Sequence, residues 1–173
     1  VDEEGVEIVL GDAQAGAAGW IVTGTSPTTC FTVSVTVGDN AGTDQLFIGW
    51  RAAGAFNTDG LIASYSEYAG IGINNVDGSI FAQHEIATTA TSDDTGVNWG
   101  DAETRLLRSC ITATTRVPTA YYTAAGGTTF TQVTLTNSGG AQTTATPMFP
   151  FIAFLKETTT DGNFFINYWE ITR

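Results

Sequence analysis

The carboxylates are the first groups whose chemistry has to be weighed. Retaining glycoside hydrolysis needs two of them about 5 Å apart, yet Glu67, Glu85, Glu103, Glu157 and Glu170 stand isolated from one another along the chain. Glu170, beside Trp169, reads as a strand-end carboxylate facing solvent. His84, in Ala82-Gln83-His84-Glu85, is the single histidine. No Gly-x-Ser-x-Gly elbow accompanies it, so a strand histidine paired with a neighbour is the expectation. No catalytic group emerges, and the chain is expected not to be an enzyme.

Metal chemistry fares little better. Cys30 and Cys110 are the only cysteines, and with one histidine they fit no zinc spacing. Two thiols in a chain of this size make no disulfide framework, so both are expected to be free and partly covered. Calcium prefers hard oxygen ligands, which Asp39-Asn40, Asp59, Asp93-Asp94 and Asp161 to Asn163 offer, mostly in loops. The same residue types occupy turns for conformational reasons, and no stretch has the ligand density of an EF-hand. No cofactor is expected, with calcium the runner-up.

Aromatic side chains in polar loops are the remaining candidates. Trp99, in Asp93-Asp94-Thr95-Gly96-Val97-Asn98-Trp99-Gly100, is the one Trp in such a loop. A saccharide or protein partner would stack on it, with Tyr65 and Tyr68 assisting if they line the same edge. The competing reading, ranked first, is that Trp99 closes the open end of a β-sandwich.

The elements that must position these groups are strands. Apolar or alternating runs of five to ten residues recur between Gly, Asn, Asp and Ser. They predict strands over Val6–Leu10, Gly19–Gly24, Thr28–Val37, Gln45–Arg51, Ile71–Asn75, Ser79–Glu85, Ile86–Thr91, Arg105–Thr114, Thr119–Thr123, Thr129–Leu135, Phe149–Leu155 and Phe164–Thr172. Only Leu61–Tyr68 and Asp101–Thr104 could hold a helical turn. About 30 Thr and 20 Gly suit this, because β-branched side chains fit a pleated surface. The implied architecture is all-β: a two-sheet antiparallel sandwich, most simply a jelly roll. One domain is expected over 1–173, with 1–14 as an N-terminal arm.

Composition narrows the partners. Among 173 residues, 6 Lys and Arg face 18 Asp and Glu, for a net charge of −12 at pH 7. Nucleic-acid binding depends on cations that neutralise phosphates, so nucleic acid and anionic membranes are excluded as partners. No run approaches the roughly 18 apolar residues of a membrane span, and no signal-peptide pattern is visible. The strand pattern adds a constraint of its own. Thr28–Val37 alternates cleanly, as a strand with one solvated face should. Gln45–Trp50, Phe149–Leu155 and Phe164–Trp169 are apolar on both faces, so each needs a cover from its own chain or from another subunit.

Several of these segments together resemble a known family. Trp20-Ile21, Phe31-Thr32-Val33-Ser34-Val35 and Leu46-Phe47-Ile48-Gly49-Trp50-Arg51 resemble the first half of concanavalin-A-like jelly rolls, in the form found in tailed-phage virion proteins. Tyr65–Ile73 followed by Asp77-Gly78-Ser79-Ile80, then Thr104–Thr114, Ala120–Gly127, Pro147–Phe154 and Phe165–Ile171, are similar to the rest. The resemblance implies a virion component, whereas the Glu-x-Asp-x-x-Glu strand of the glucanase relatives and the legume-lectin metal motif are absent. The expected function is therefore a non-enzymatic virion protein, a capsid decoration or head-fibre protein on the outer surface of the head. Its partners would be the major capsid protein, other virion subunits or sister copies, with a trimer favoured. The alternative is a receptor- or glycan-binding domain of a tail fibre or secreted protein.

Overall fold

The computed structural model describes residues 5–11, 27–41, 43–55, 62, 65–74, 77–86, 89–112, 117–135, 147–156 and 163–173. Eleven strands account for most of them: β1 Gly5–Val9, β2 Thr29–Val37, β3 Thr43–Ala52, β4 Glu67–Ile73, β5 Ser79–Ile86, β6 Thr89–Asn98, β7 Thr104–Ile111, β8 Pro118–Thr123, β9 Phe130–Gln132, β10 Met148–Lys156 and β11 Phe164–Thr172. They form two antiparallel sheets, ordered β1-β10-β3-β4-β5-β6 and β11-β2-β7-β8-β9. The expected strand over Gly19–Gly24 lies outside the described residues. Within the expected arm, Gly5–Val9 is the edge strand paired with β10.

Alternation explains how the sheets face one another. Phe31, Val33, Val35 and Val37 of β2 are fully buried, and burying each contributes about 1.5–3 kcal/mol. They meet Leu46, Ile48 and Trp50 of β3, Ile71 and Ile73 of β4, and Leu107 and Ile111 of β7 in one core between the sheets. Polar bonds cross that core as well. Trp50 Nε1 donates to the Ser109 carbonyl at 3.0 Å, and Ser109 Oγ to the Ala69 carbonyl at 3.3 Å.

A second apolar cluster lies on the outer face of the six-stranded sheet. Phe47, Tyr68, Phe151 and Ala153 point outward and are covered by Ile62 and Tyr65 from the β3–β4 connection. Gly70 and Gly72 of β4 make this possible, since Phe47 lies where a Gly70 side chain would stand and a Cβ at Gly72 would collide with the Leu46 carbonyl. The two-faced apolar runs in β3 and β10 are thus roofed from within the chain. Within Leu61–Tyr68, offered as a helical turn, the Tyr65 N–H donates to the Ile62 carbonyl at 3.1 Å in one 3₁₀-type turn, and Glu67 and Tyr68 open β4; Leu61, Ala63 and Ser64 lie outside the described residues.

Two expectations need correction. Cys30 and Cys110 are joined by a disulfide. They are direct partners in the β2–β7 register, with Cα atoms 4.0 Å apart, close to the spacing of a non-hydrogen-bonded antiparallel pair. The stretch expected as a polar loop before Trp99 is strand β6 as far as Asn98. It is an edge strand that leaves most of its polar side chains wet and carries an irregularity against β5. Gly96, at φ +70°, accepts the backbone conformation that bend requires.

Candidate functional site

The three aromatics singled out as a binding platform are all buried, and they occupy two places. Trp99 sits in the core between the sheets. Its Nε1 donates to the Glu103 carbonyl at 2.9 Å, its backbone N–H to the Gly78 carbonyl at 2.8 Å, and its carbonyl accepts from Asn40 Nδ2. The Arg105 guanidinium lies 5.8 Å from its ring centre. Arg105 also donates to the Thr123 carbonyl and to Glu103. The Gly100 N–H, with help from Arg105, holds the Glu103 carboxyl below its usual range. Trp99 therefore packs one end of the sandwich shut.

Tyr65 and Tyr68 lie together on the outer face of the six-stranded sheet. Tyr65 Oη donates to Glu7 at 2.6 Å, and the buried Arg51 donates to the other oxygen of that carboxylate. The Arg51 guanidinium also stacks 4.3 Å from the Tyr65 ring centre. This triad pins the roof to strand β1. Beyond it, Tyr68 borders a cavity of about 280 Å³ lined also by Gln45, Asn74, Gln83 and Ser92. Burial, and secondarily the charge of Glu85, push the Tyr68 phenol up to about 12, while burial also raises Glu85. Gln83 donates to Ser92 at 3.3 Å and Gln45 to Asn74 at 3.2 Å, so amides and hydroxyls share the lining with the apolar side chains of Ile62 and Ala90.

The carboxylates do not converge. On the outer face of the six-stranded sheet, Glu7 belongs to β1 and Glu85 to β5, four strand spacings away, or about 19 Å. Glu67 points to the opposite face, Glu103 lies in the turn after Trp99, and Glu170 is on the other sheet. Glu157 is outside the described residues. His84 meets Thr91 of β6, the strand pairing expected of it. Two of the Asp side chains offered for calcium serve turns: Asp39 accepts from the Ala41 N–H at 2.9 Å and Asp94 from the Gly96 N–H at 2.8 Å; Asp93 is buried within β6. No group of three His, Cys, Asp or Glu suited to a metal occurs among the described residues. Asp59 and Asp161 fall outside them.

A different surface stands out, one the binding assignments passed over. On β11, Phe165 is 58% exposed and Tyr168 and Trp169 are each 49% exposed. The register shifts between Ile166 and Tyr168, and this bulge puts Phe165 and Tyr168 on the same outer face, opposite Thr36 and Ser34. Trp169 pairs with Val33 and faces the gap between the sheets. Phe164 stacks on Phe154 of β10 at 4.6 Å, which brings β11 and the edge strand β1 to the same side of the sandwich. Val6 and Ile8 of β1 are exposed there too. The three half-bare aromatics alone leave roughly 300 Å² of apolar surface. On the same outer face Arg108 donates to Thr32 Oγ1 at 2.9 Å, lies 3.9 Å over Phe130, and reaches Glu170 at 3.9 Å. The signal in the sequence was the two-faced run Phe164–Trp169 itself.

No family model matches the chain, and no curated protein matches it. Solved structures do. A Shewanella oneidensis MR-1 protein of unknown function is 20% identical at a TM-score of 0.60, over 99% of this chain and 71% of that one. The Lotus tetragonolobus seed lectin is 11% identical at 0.61, over 99% and 82%. A mutant of the GH43 protein BlXynB from Bacillus licheniformis is 11% identical at 0.55, over 96% of this chain but 32% of that one. At such identities the likeness concerns architecture alone, and the chain has the concanavalin-like jelly-roll fold.

Proposed function

We propose that this chain is a non-enzymatic structural protein of a phage particle, seated on the outer surface of the head by contacts between subunits. The observation that supports this reading is the bare aromatic strip of β11 beside exposed Val6 and Ile8. Interface centres are enriched in aromatic residues and Arg, and a few such anchors carry most of the binding energy. Arg108, over Phe130 and reaching Glu170 of β11 on the same outer face, adds to that composition. The net charge of −12 keeps free copies soluble and is repelled by packaged nucleic acid, which favours the outer side of a shell. The separation of the carboxylates supports a role without catalysis. Cryo-electron microscopy of the purified particle tests the reading: it predicts density for this sandwich outside the shell with β11 in contact. Density inside the shell, or none in the virion, overturns it.

A second reading, a glycan-binding domain, is favoured by one specific feature. The cavity beside Tyr68 offers Gln45, Asn74, Gln83 and Ser92 around an aromatic ring, groups that suit a neutral hydroxyl-rich ligand. A glycan array probed with the wild type and Gln83→Ala separates the two. Saccharide binding lost in the variant favours this domain, and silence removes it.

A further inference from the structure

We propose that the Cys30–Cys110 disulfide is a redox-closed clamp on the sheet that presents β11, formed after folding and not required for it. Cys30 lies opposite Cys110 of β7 on one side and opposite Thr172 of β11 on the other. The bond therefore fastens the end of the strand pair to which β11 is hydrogen-bonded. Register alone brings the two sulfurs together, because β2 and β7 pair continuously from Thr29–Ile111 to Thr36–Thr104. The neighbours Thr29, Phe31, Ser109 and Ile111 are buried within that pair, so its packing does not wait for the bond.

Access sets the route of closure. Cys110 is 3% exposed, whereas Cys30 is only half-buried. A low-molecular-weight disulfide such as oxidised glutathione is met by the Cys30 thiolate, which forms a mixed disulfide and expels one thiolate. The Cys110 thiolate then attacks the Cys30 sulfur and expels the second. Two protein thiols are oxidised, one small disulfide is reduced to two thiols, and the two protons lost by the cysteines go to solvent or to the departing thiolates. Closure ties a loop of 80 residues and restricts the unfolded chain. In a reducing compartment the clamp is open; outside it, β11 is presented from a stiffened sheet. That last consequence rests on the assembly reading above, while the clamp itself does not.

Hydrogen exchange on the isolated protein, oxidised and reduced, with Cys30→Ser/Cys110→Ser as a third sample, tests the proposal without any particle. Circular dichroism of all three should coincide, Tm should fall by roughly 5–15 °C without the bond, and amides of β2, β7 and β11 should exchange roughly tenfold faster. Amides of β3 and β4 that exchange by local opening should not change, and oxidised glutathione should restore the bond in the folded reduced protein. Unfolding on reduction in both reduced and Ser samples shows the bond to be required for folding and overturns the proposal. Unchanged exchange in β2, β7 and β11 shows the bond to be inert and overturns it equally.

Discussion

Strand β10 and strand β11 carry similar aromatic, two-faced runs, Phe149–Leu155 and Phe164–Trp169, and meet opposite fates. In β10, Phe151 is wholly buried although it points away from the main core, because Ile62 and Tyr65 pack over it and Glu7 with Arg51 holds the roof in place. In β11, Phe165, Tyr168 and Trp169 keep about half their surface in water. Hydrophobicity of a strand therefore does not report whether its chain supplies a cover. What decides it is the neighbouring connection, and an uncovered strip is where a partner gains most from binding.

The largest effects should appear on the roofed side. Phe151→Ala empties a fully buried site in the second cluster and should cost about 3–5 kcal/mol in urea melts. A loss below about 1 kcal/mol would mean the roof does not pack. Glu7→Ala strands Arg51 in a buried position, with an expected loss of about 3 kcal/mol; a charge-neutral outcome there would break the claim that the ion pair pins β1 and the roof together. Trp99→Ala should destabilise by about 3–5 kcal/mol as the end of the sandwich opens, whether or not any saccharide binds.

Acid should act through Glu103. Its carboxyl titrates below the unfolded value, so its stabilisation is present above that value and lost as pH falls through the folded one. Melting across that range should show Glu103→Gln weaker than wild type at neutral pH and level with it in acid. The smallest effects belong to β11: Phe165→Ser and Tyr168→Ser should each change stability by about 0.5 kcal/mol or less. Losses as large as that of Phe151→Ala would erase the contrast between the two strands.

The architecture was legible because alternation is a local signal. Phe31, Val33, Val35 and Val37 announce both strand and core face, and β11 has the bounds expected from its residues. What failed depended on contacts distant in sequence. Cys30 stands 80 residues from Cys110, and only the pairing of β2 with β7 makes them neighbours. Trp99 follows a polar stretch, yet the final residues of β6 lead it inward, where Gly78 and Glu103 satisfy its N–H groups. Tyr65 and Tyr68 share a surface with each other and not with Trp99, as roof and floor of a cluster whose third wall, Phe151, lies far along the chain. The strip on β11 was visible as an apolar run; that Phe165, Tyr168 and Trp169 stay about half bare is a property of the tertiary packing, which no local pattern encodes.

Sedimentation with purified phage heads lacking this protein tests the contact role proposed for β11 directly. Wild type should pellet with the heads, while Phe165→Ser/Tyr168→Ser/Trp169→Ser, with a circular dichroism spectrum like that of wild type, should remain in the supernatant. A folded triple variant that pellets as fully as wild type would contradict the assignment of this strand as the contact surface.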